Sequence, residues 1–465
     1  MAKLTLIKGK PIATLILSIA ILMGGFLVLP TTAVAQNDDT CATGTLDPGN
    51  GSQDLLISAP CNVGAGEYMY GNVNIINNGV LNFVDEGSKT DFWAKSILVE
   101  AGGTLRAGEM SDSGAFGANG GTLTIYLYGA KDDLAGIECK SPEQTPGVPC
   151  GIESDIWNSN TFSMNPTSCV KNNLPGGVNN ECFYQYGTPD PVTGETGMFG
   201  SKVLAVSYNA TLEMYGSKGA SYSSLPSSNS GASWARLNTN GILNKGATSL
   251  TLDRDVDWDI DDYIVVTTTD FLPGNSEKLK ITGKTSNREF NFIVVNPHTN
   301  QEIPGGLQNP HNGKTYPIST PTRLDQDITE AETRAAVALL SRSIRVVSAG
   351  NNAGDMFDSA TPGNFFGGQT MFRQGFQKVH IQGVEFYQLG QGGRKGRYPV
   401  HYHLARRVPD GTFARDNSIH DSMTRWVTIH GSQNIELSRN VGFMSIGHGY
   451  YLEDGTETDN KLYSN

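Results

Sequence analysis

The 465-residue chain carries 34 Lys and Arg against 46 Asp and Glu, a formal net charge of -12, with 38% hydrophobic and 17% charged residues. That balance excludes a disordered chain and argues against a polyanion-binding surface spread over the molecule, so nucleic acid is not an expected partner. The 55 glycines follow no three-residue period, which excludes collagen and points to a chain that turns often between strands.

The first 35 residues read as an export signal. Lys3, Lys8 and Lys10 precede an apolar run over residues 12–29, and Ala33-Val34-Ala35 supplies small residues before Gln36. Cleavage there predicts a secreted or extracytoplasmic protein with no stable membrane span; an uncleaved anchor is the alternative. The six cysteines, Cys41, Cys61, Cys139, Cys150, Cys169 and Cys182, all follow this segment. In an oxidising compartment they predict three disulfides, with Cys41–Cys61, Cys139–Cys150 and Cys169–Cys182 as the preferred pairing. They carry no ligand spacing typical of a metal site.

Between residues 64 and 129, short strand candidates recur between Gly and Asn turns at 72–76, 80–84, 96–99, 103–106 and 123–127. A second set at 202–206 and 210–216 repeats the pattern. Such reuse suggests a coiled sheet in which each turn needs its neighbour to bury an apolar face. Farther on, Val256, Trp258 and Ile260 alternate with Asp255, Asp257, Asp259 and Asp261. This predicts a strand with one acidic face, either simply solvated or offering Asp255 and Asp257 as hard oxygen ligands to a divalent cation such as calcium. Residues 271–328, rich in Asn, Pro, Gly and Thr, read as loops. Residues 331–347 are ambiguous between helix and strand and are taken as strand.

From residue 367 the pattern sharpens. Val379-His380-Ile381-Gln382-Gly383-Val384-Glu385-Phe386-Tyr387 reads as strand, Gly bend, strand, and Asn417, Asn440 and Asn460 recur at coil-like intervals. Five of the eight histidines lie between residues 401 and 448: His401, His403, His420, His430 and His448. His401 and His403 share one face of an extended strand. A coil of 20 to 25 residues would stack His430, and then the stretch containing His448, Glu453 and Asp454, beside them. Imidazoles so gathered could ligate a transition metal through His401, His403 and His430, or transfer protons. His420 is assigned a structural role.

These motifs carry a resemblance. Residues 200–216, Ser233-Trp234-Ala235-Arg236-Leu237 and Asp255-Val256-Asp257-Trp258 resemble the end of a G8 domain and its continuation. Gly396-Arg397-Tyr398-Pro399-Val400-His401-Tyr402-His403, Val427-Thr428-Ile429-His430-Gly431 and residues 447–455 resemble the parallel β-helix region of the family of the cell-migration-inducing hyaluronan-binding protein and its transmembrane relative. The resemblance implies an extracellular, glycan-facing protein. Gly449 and Trp426 stand where the family commonly has Cys.

The expected architecture is all-β: a signal peptide over 1–35, a disulfide-containing G8-like module over 36–220, a β-rich connecting region over 221–330, and a right-handed parallel β-helix over 331–465. The open last coil needs further sequence or a protein partner to cover it. The expected function is binding of an extracellular polysaccharide, with endo-acting hydrolysis of a hyaluronan-like glycan as the leading activity; elimination by a lyase and non-catalytic adhesion are the alternatives. Catalytic candidates are His403, His430, His448, Glu453 and Asp454. Because Glu453 and Asp454 are adjacent, and neighbours on a strand point to opposite faces, a carboxylate–histidine or metal-assisted site is preferred to a simple carboxylate pair. Arg397, Tyr398, His401, Tyr402, Trp426 and Tyr450 are the substrate-binding candidates.

Overall fold

A computed structural model describes residue 41 and residues 43–100, 102–130, 199, 202–207, 209–222, 232–318, 329–358, 364–393 and 396–465, with backbone alone at 170–171 and 182–183. The export segment, Cys139, Cys150 and Cys169 lie outside the described residues, as does the side chain of Cys182. The expected Cys41–Cys61 disulfide is formed, with its Cα atoms 5.8 Å apart.

Three parallel sheets wind into one solenoid. Sheet 1 stacks Leu55–Ile57, Asn72–Ile75, Ser96–Val99, Val203–Val206, Gln369–Arg373, Val400–Arg407, Val427–Gln433 and Tyr450–Leu452. Sheet 2 runs from Pro60–Val63 to Lys461–Tyr463, and sheet 3 from Gly66–Met69 to Val441–Ser445. Each pass through the sheets is one coil, and eight coils are present among the described residues, numbered here from coil 1 at Leu55. The first ladder pairs Leu55 with Val73, so the parallel ladders begin well before residue 331. The boundary expected there is no break in the solenoid, and much of the 36–220 segment supplies coils. Branched and aromatic residues alternate inward along each strand, so that Ile75, Val99, Val206, Phe372, Tyr402 and Ile429 belong to one continuous apolar core.

Coil 4 is interrupted. Its sheet 2 strand is Thr211–Tyr215 and its sheet 3 strand Ile344–Ser348, and the intervening residues build an antiparallel sheet. That sheet is ordered Trp234–Arg236, Ala336–Leu339, Tyr263–Val266, Glu277–Lys284, Glu289–Val295, Ser249–Thr251. The stretch expected to be loops thus contains a long hairpin. Leu279 and Ile281 on one arm, with Phe290, Phe292 and Val294 on the other, bury at every second position and form a core with Trp258.

The acidic stretch between Asp253 and Asp262 is not a strand. Val256 and Trp258 are buried as expected, whereas Ile260 is exposed. The insertion packs on the later coils through Val265, Ala338, Leu340 and Val441, and Ser233 donates to the Arg439 carbonyl at 2.6 Å. Among the described residues, no helix is long and apolar enough to cross a membrane.

Candidate functional site: a buried histidine cluster with a carboxylate edge

Sheet 1 presents alternate side chains to its two faces. In coil 6, Val400 and Tyr402 point into the core, with Tyr402 edge-on to Phe372 at 5.1 Å between ring centres. His401 and His403 therefore face outward. In coil 7, Val427 and Ile429 turn inward and His430 turns outward, and the ladder pairs His403 with His430. The strand of coil 6 bulges just after His403, where Leu404 and Arg406 take φ values of 50° and 59°. Gly431, at φ 51°, follows His430, and a Cβ there would lie 2.8 Å from Leu404 Cδ2.

The three imidazoles converge. His401 Nε2 lies 3.3 Å from His403 Nδ1, which lies 3.2 Å from His430 Nδ1. His401 Nδ1 is 3.1 Å from the Gly396 carbonyl oxygen. A carbonyl only accepts, so this contact fixes the proton on Nδ1 and leaves the lone pair of neutral His401 on Nε2. His401 and His403 are fully buried and His430 nearly so. Burial pushes His401 and His403 well below the ordinary histidine pKa, and the positive charge of neighbouring arginines (Arg397 and Arg425 for His401, Arg373 for His403) adds to it. Both are therefore neutral near pH 7.

Beyond Leu452 the chain leaves sheet 1, and this departure lets two adjacent carboxylates approach the same ring. Glu453 Oε2 is 3.8 Å from His430 Nδ1, and Asp454 Oδ2 is 3.7 Å from Nε2. Tyr398 donates to Glu453 Oε1 at 3.2 Å, and Arg425 pairs with Oε2 at 3.4 Å while lying over the Tyr398 and Tyr451 rings. Burial acts to raise the Asp454 carboxyl, but hydrogen bonds from Thr456 outweigh it and hold the group below the usual carboxylate range. The Asp454 side chain is 35% exposed against 15% for Glu453. The cluster thus runs from a dry interior at His401 to an edge that a ligand can reach.

Three supporting residues escaped the sequence reading. Glu457 accepts from the backbone N–H groups of Gly431, Asp454 and Gly455 and so fixes the carboxylate loop to the His430 turn. Arg425 has been described above. Arg373, paired in register with His403, is buried with an unmatched Nε, and burial lowers its pKa to about 10. The Gly-Arg spacing of its segment gave no signal for it.

Other candidates lie elsewhere. Tyr402 is a core residue and has no face to offer a sugar. The reason is the alternation that turns its two histidine neighbours outward. His448 is exposed in the loop before Tyr450 and rests on the Tyr451 ring, 5.0 Å between centres, outside the three-histidine cluster. Arg397 is buried and donates to the Phe199 carbonyl at 2.7 Å. Trp426 and Tyr450 meet edge to face and, with Trp234 and Phe443, line a groove of about 1020 Å³ between the insertion and the last coils.

Asp255 and Asp257 turn to separate partners. Asp255 pairs with Arg288 at 2.5 Å, whereas the half-buried Asp257 accepts from the Gly219 N–H at 2.7 Å. Asp259 and Asp261 likewise turn to Lys284 and Lys280, so the row of carboxylates diverges toward separate donors. His420 sits on sheet 3, where Nδ1 meets Asp421 Oδ2 at 2.7 Å and Nε2 faces Glu385 Oε1 at 3.4 Å. Glu385 is also paired with Arg345. This network ties neighbouring coils together under the insertion.

Residues 365–465, the span holding the three histidines and both carboxylates, match the family model described as CEMIP beta-helix. A G8 domain-containing protein of Dictyostelium discoideum is 30% identical over 270 residues, 57% of this chain and 15% of that protein. The cell migration-inducing and hyaluronan-binding protein of Homo sapiens is 30% identical over 234 residues, covering 47% of this chain and 15% of its own length. The human cell surface hyaluronidase CEMIP2 is 31% identical over 226 residues, 46% of this chain and 14% of that protein. The chain spans about one seventh of the length of these relatives.

Proposed function

We propose that the protein is exported and binds a hyaluronan-like polysaccharide along the outer edge of coils 6 to 8, cleaving it by hydrolysis at His430, Glu453 and Asp454. The observation that carries this reading is the position of His430 between two carboxylates, one on each ring nitrogen. The imidazole between them keeps the carboxylates within roughly 10 Å of each other, compatible with the roughly 5–9.5 Å separation of carboxylate pairs in glycosidic cleavage.

Roles follow from environment. Asp454, held ionised and reachable from solvent, acts as the base or the stabiliser of positive charge at the sugar ring. Glu453, more enclosed and touched by the Tyr398 hydroxyl, acts as the proton donor to the leaving oxygen, and His430 orients the two carboxylates. Arg425, stacked between two tyrosine rings, is placed to meet an anionic sugar, and Trp426 and Tyr450 offer apolar faces in the adjoining groove. The names of two human relatives, one hyaluronan-binding and one a hyaluronidase, support the choice of glycan.

The test is incubation of the exported protein with a polysaccharide panel, followed by mass analysis of products. Hydrolysis predicts added water and no ultraviolet chromophore; an unsaturated product would instead establish elimination. Asp454→Asn should lower turnover at least 100-fold with glycan affinity within about 3-fold, because remote sugar contacts persist when one reacting group is lost. Glycan binding without turnover by the unmodified protein would leave a non-catalytic adhesion solenoid.

A further inference from the structure

We infer that His401, His403 and His430 form a binding site for a divalent transition metal of the zinc or copper class. The argument starts from protons. Gly396 fixes the His401 proton on Nδ1, so a bare nitrogen lone pair faces His403 Nδ1 at 3.3 Å, and His430 Nδ1 faces the same atom at 3.2 Å. If His403 carries its proton on Nδ1, that proton serves His401, and the buried Nε2 has no partner. If His403 carries it on Nε2, two lone pairs meet at 3.3 Å, and a buried N–H is left unmatched. Neither arrangement of protons satisfies the cluster.

A cation does. Three nitrogens at about 2.0–2.1 Å from a tetrahedral metal stand about 3.3 Å apart, the spacing of both close pairs here. The ligand atoms of all three rings lie within 4.8 Å of one another, and among the described residues this is the group of His, Cys, Asp and Glu so arranged. The second shell fits as well. The Nδ1–H of His401 donates to the Gly396 carbonyl, and Nε2 of His430 faces Asp454 Oδ2 at 3.7 Å, which leaves Nε2 and Nδ1 respectively for the metal. Stiff strands carry the ligands: His401 and His403 lie on one strand and His430 on the next, in hydrogen-bonded register.

The donor set decides the class. Neutral nitrogens in a dry pocket favour zinc, cobalt, nickel or copper and disfavour calcium and magnesium, which require oxygen ligands. The buried Arg373 beside His403 adds a positive charge, which favours an anion such as hydroxide or a carboxylate as the fourth ligand. The inference concerns the ligands alone and stands whether or not the polysaccharide reading holds.

The experiment uses untagged, exported protein. Elemental analysis after purification should find about one transition metal per chain. Cobalt(II) added to chelator-treated protein should give the intense visible bands of a tetrahedral site, undiminished by a hundredfold excess of calcium. His403→Gln and His430→Gln, checked for folding by circular dichroism, should each weaken cobalt binding more than 10-fold. Asp454→Asn should weaken it by about 10-fold through the second shell, and His448→Gln should leave it unchanged. Folded protein that neither carries metal nor gives the cobalt spectrum would overturn the site, as would undiminished binding by a folded His430→Gln. Should only some variants fold, those that do decide the matter. Because the readout is metal content and spectrum, a metal-loaded protein without turnover rejects only hydrolysis, and turnover by metal-free protein rejects only a catalytic use of the metal.

Discussion

Asn440→Ala should be among the most disruptive small changes to the C-terminal coils. Asn440 sits at the corner between sheets 2 and 3, is 1% exposed, and makes four side-chain hydrogen bonds. Its Oδ1 accepts from the Asn417 backbone N–H at 3.1 Å and from Asn417 Nδ2 at 2.9 Å. Its Nδ2 donates to the Ala414 carbonyl and to Asn465 Oδ1, each at 2.9 Å. Alanine leaves the Asn417 N–H buried without a partner, at about 1–3 kcal/mol, and takes one bond from the Ala414 carbonyl, at about 0.5–1.5 kcal/mol. The two amide–amide bonds contribute less, about 0.5–1 kcal/mol each. A loss of about 3–5 kcal/mol follows. Because this ladder joins coils 6, 7 and 8, the ones that align His403, His430 and Glu453, ligand binding at the cluster should weaken as well. Urea unfolding followed by tryptophan fluorescence measures the loss, with Gln377→Ala, an exposed change expected within about 0.5 kcal/mol, as the control. A measured loss under about 1 kcal/mol for Asn440→Ala would refute the view that the corner ladder holds these coils in register.

Glu436 predicts a pH dependence. Burial acts to raise its carboxyl, but hydrogen bonds from Arg415, Tyr463 and Ser438 outweigh it and lower the pKa from 4.5 to about 2. This depressed carboxylate contributes stability above pH 4.5 that is lost as pH falls toward 2. The full shift corresponds to about 3.4 kcal/mol, which solvent screening of a partly exposed group reduces to about 1–2 kcal/mol. Glu436→Gln should flatten that part of the acid limb; an unchanged limb counts against the assignment. Trp258→Ala removes a fully buried ring and its Nε1 donation to the Ala232 carbonyl. It should cost about 4 kcal/mol, with hydrogen-exchange protection falling first in Glu277–Lys284 and Glu289–Val295. Replacing Cys41 and Cys61 by serine opens a crosslink of sequence separation 20 and should cost about 3 kcal/mol, loosening coil 1 while leaving coils 6 to 8 as protected as before.

Much of the solenoid was legible in the sequence because a strand bounded by Gly or Asn turns needs little context. The segments expected at 72–76, 80–84, 96–99 and 123–127 lie within a residue or so of the observed strands. The shared face of His401 and His403 follows from a period of two, and so does the inward position of Tyr402, a consequence the aromatic content of the motif obscured. Asparagine columns were harder to read. Asn417 and Asn440 precede sheet 3 strands and stack, but Asn460 precedes the sheet 2 strand Lys461–Tyr463, and Asn465 continues the column. Equal spacing does not reveal which corner a residue occupies. The hairpin within 271–328 hid behind its turn-rich surroundings, although Phe290, Phe292 and Val294 alternate. Glu453 and Asp454 could not be placed together from sequence, since their approach to one ring depends on where the chain leaves the sheet.

The interruption of coil 4 bears on the order of folding. Its strands Thr211–Tyr215 and Ile344–Ser348 belong to the same turn of the solenoid, yet residues 216–343 separate them, where coils 1, 5, 6 and 7 need only a residue or two between sheets 2 and 3. Closing so long an unstructured loop costs about 4 kcal/mol more than a tight corner. The chain avoids most of that cost if the insertion folds on its own first, since its antiparallel sheet brings Trp234–Arg236 beside Ala336–Leu339 and so delivers both ends of the loop to one place. Coil 4 then becomes a kinetic seam. The first three coils can assemble as their residues emerge, whereas the histidine-bearing coils can dock onto them only after the insertion has folded. A lesion in the insertion, far in sequence from His403 and His430, should therefore delay the appearance of the site even where it leaves the finished solenoid intact.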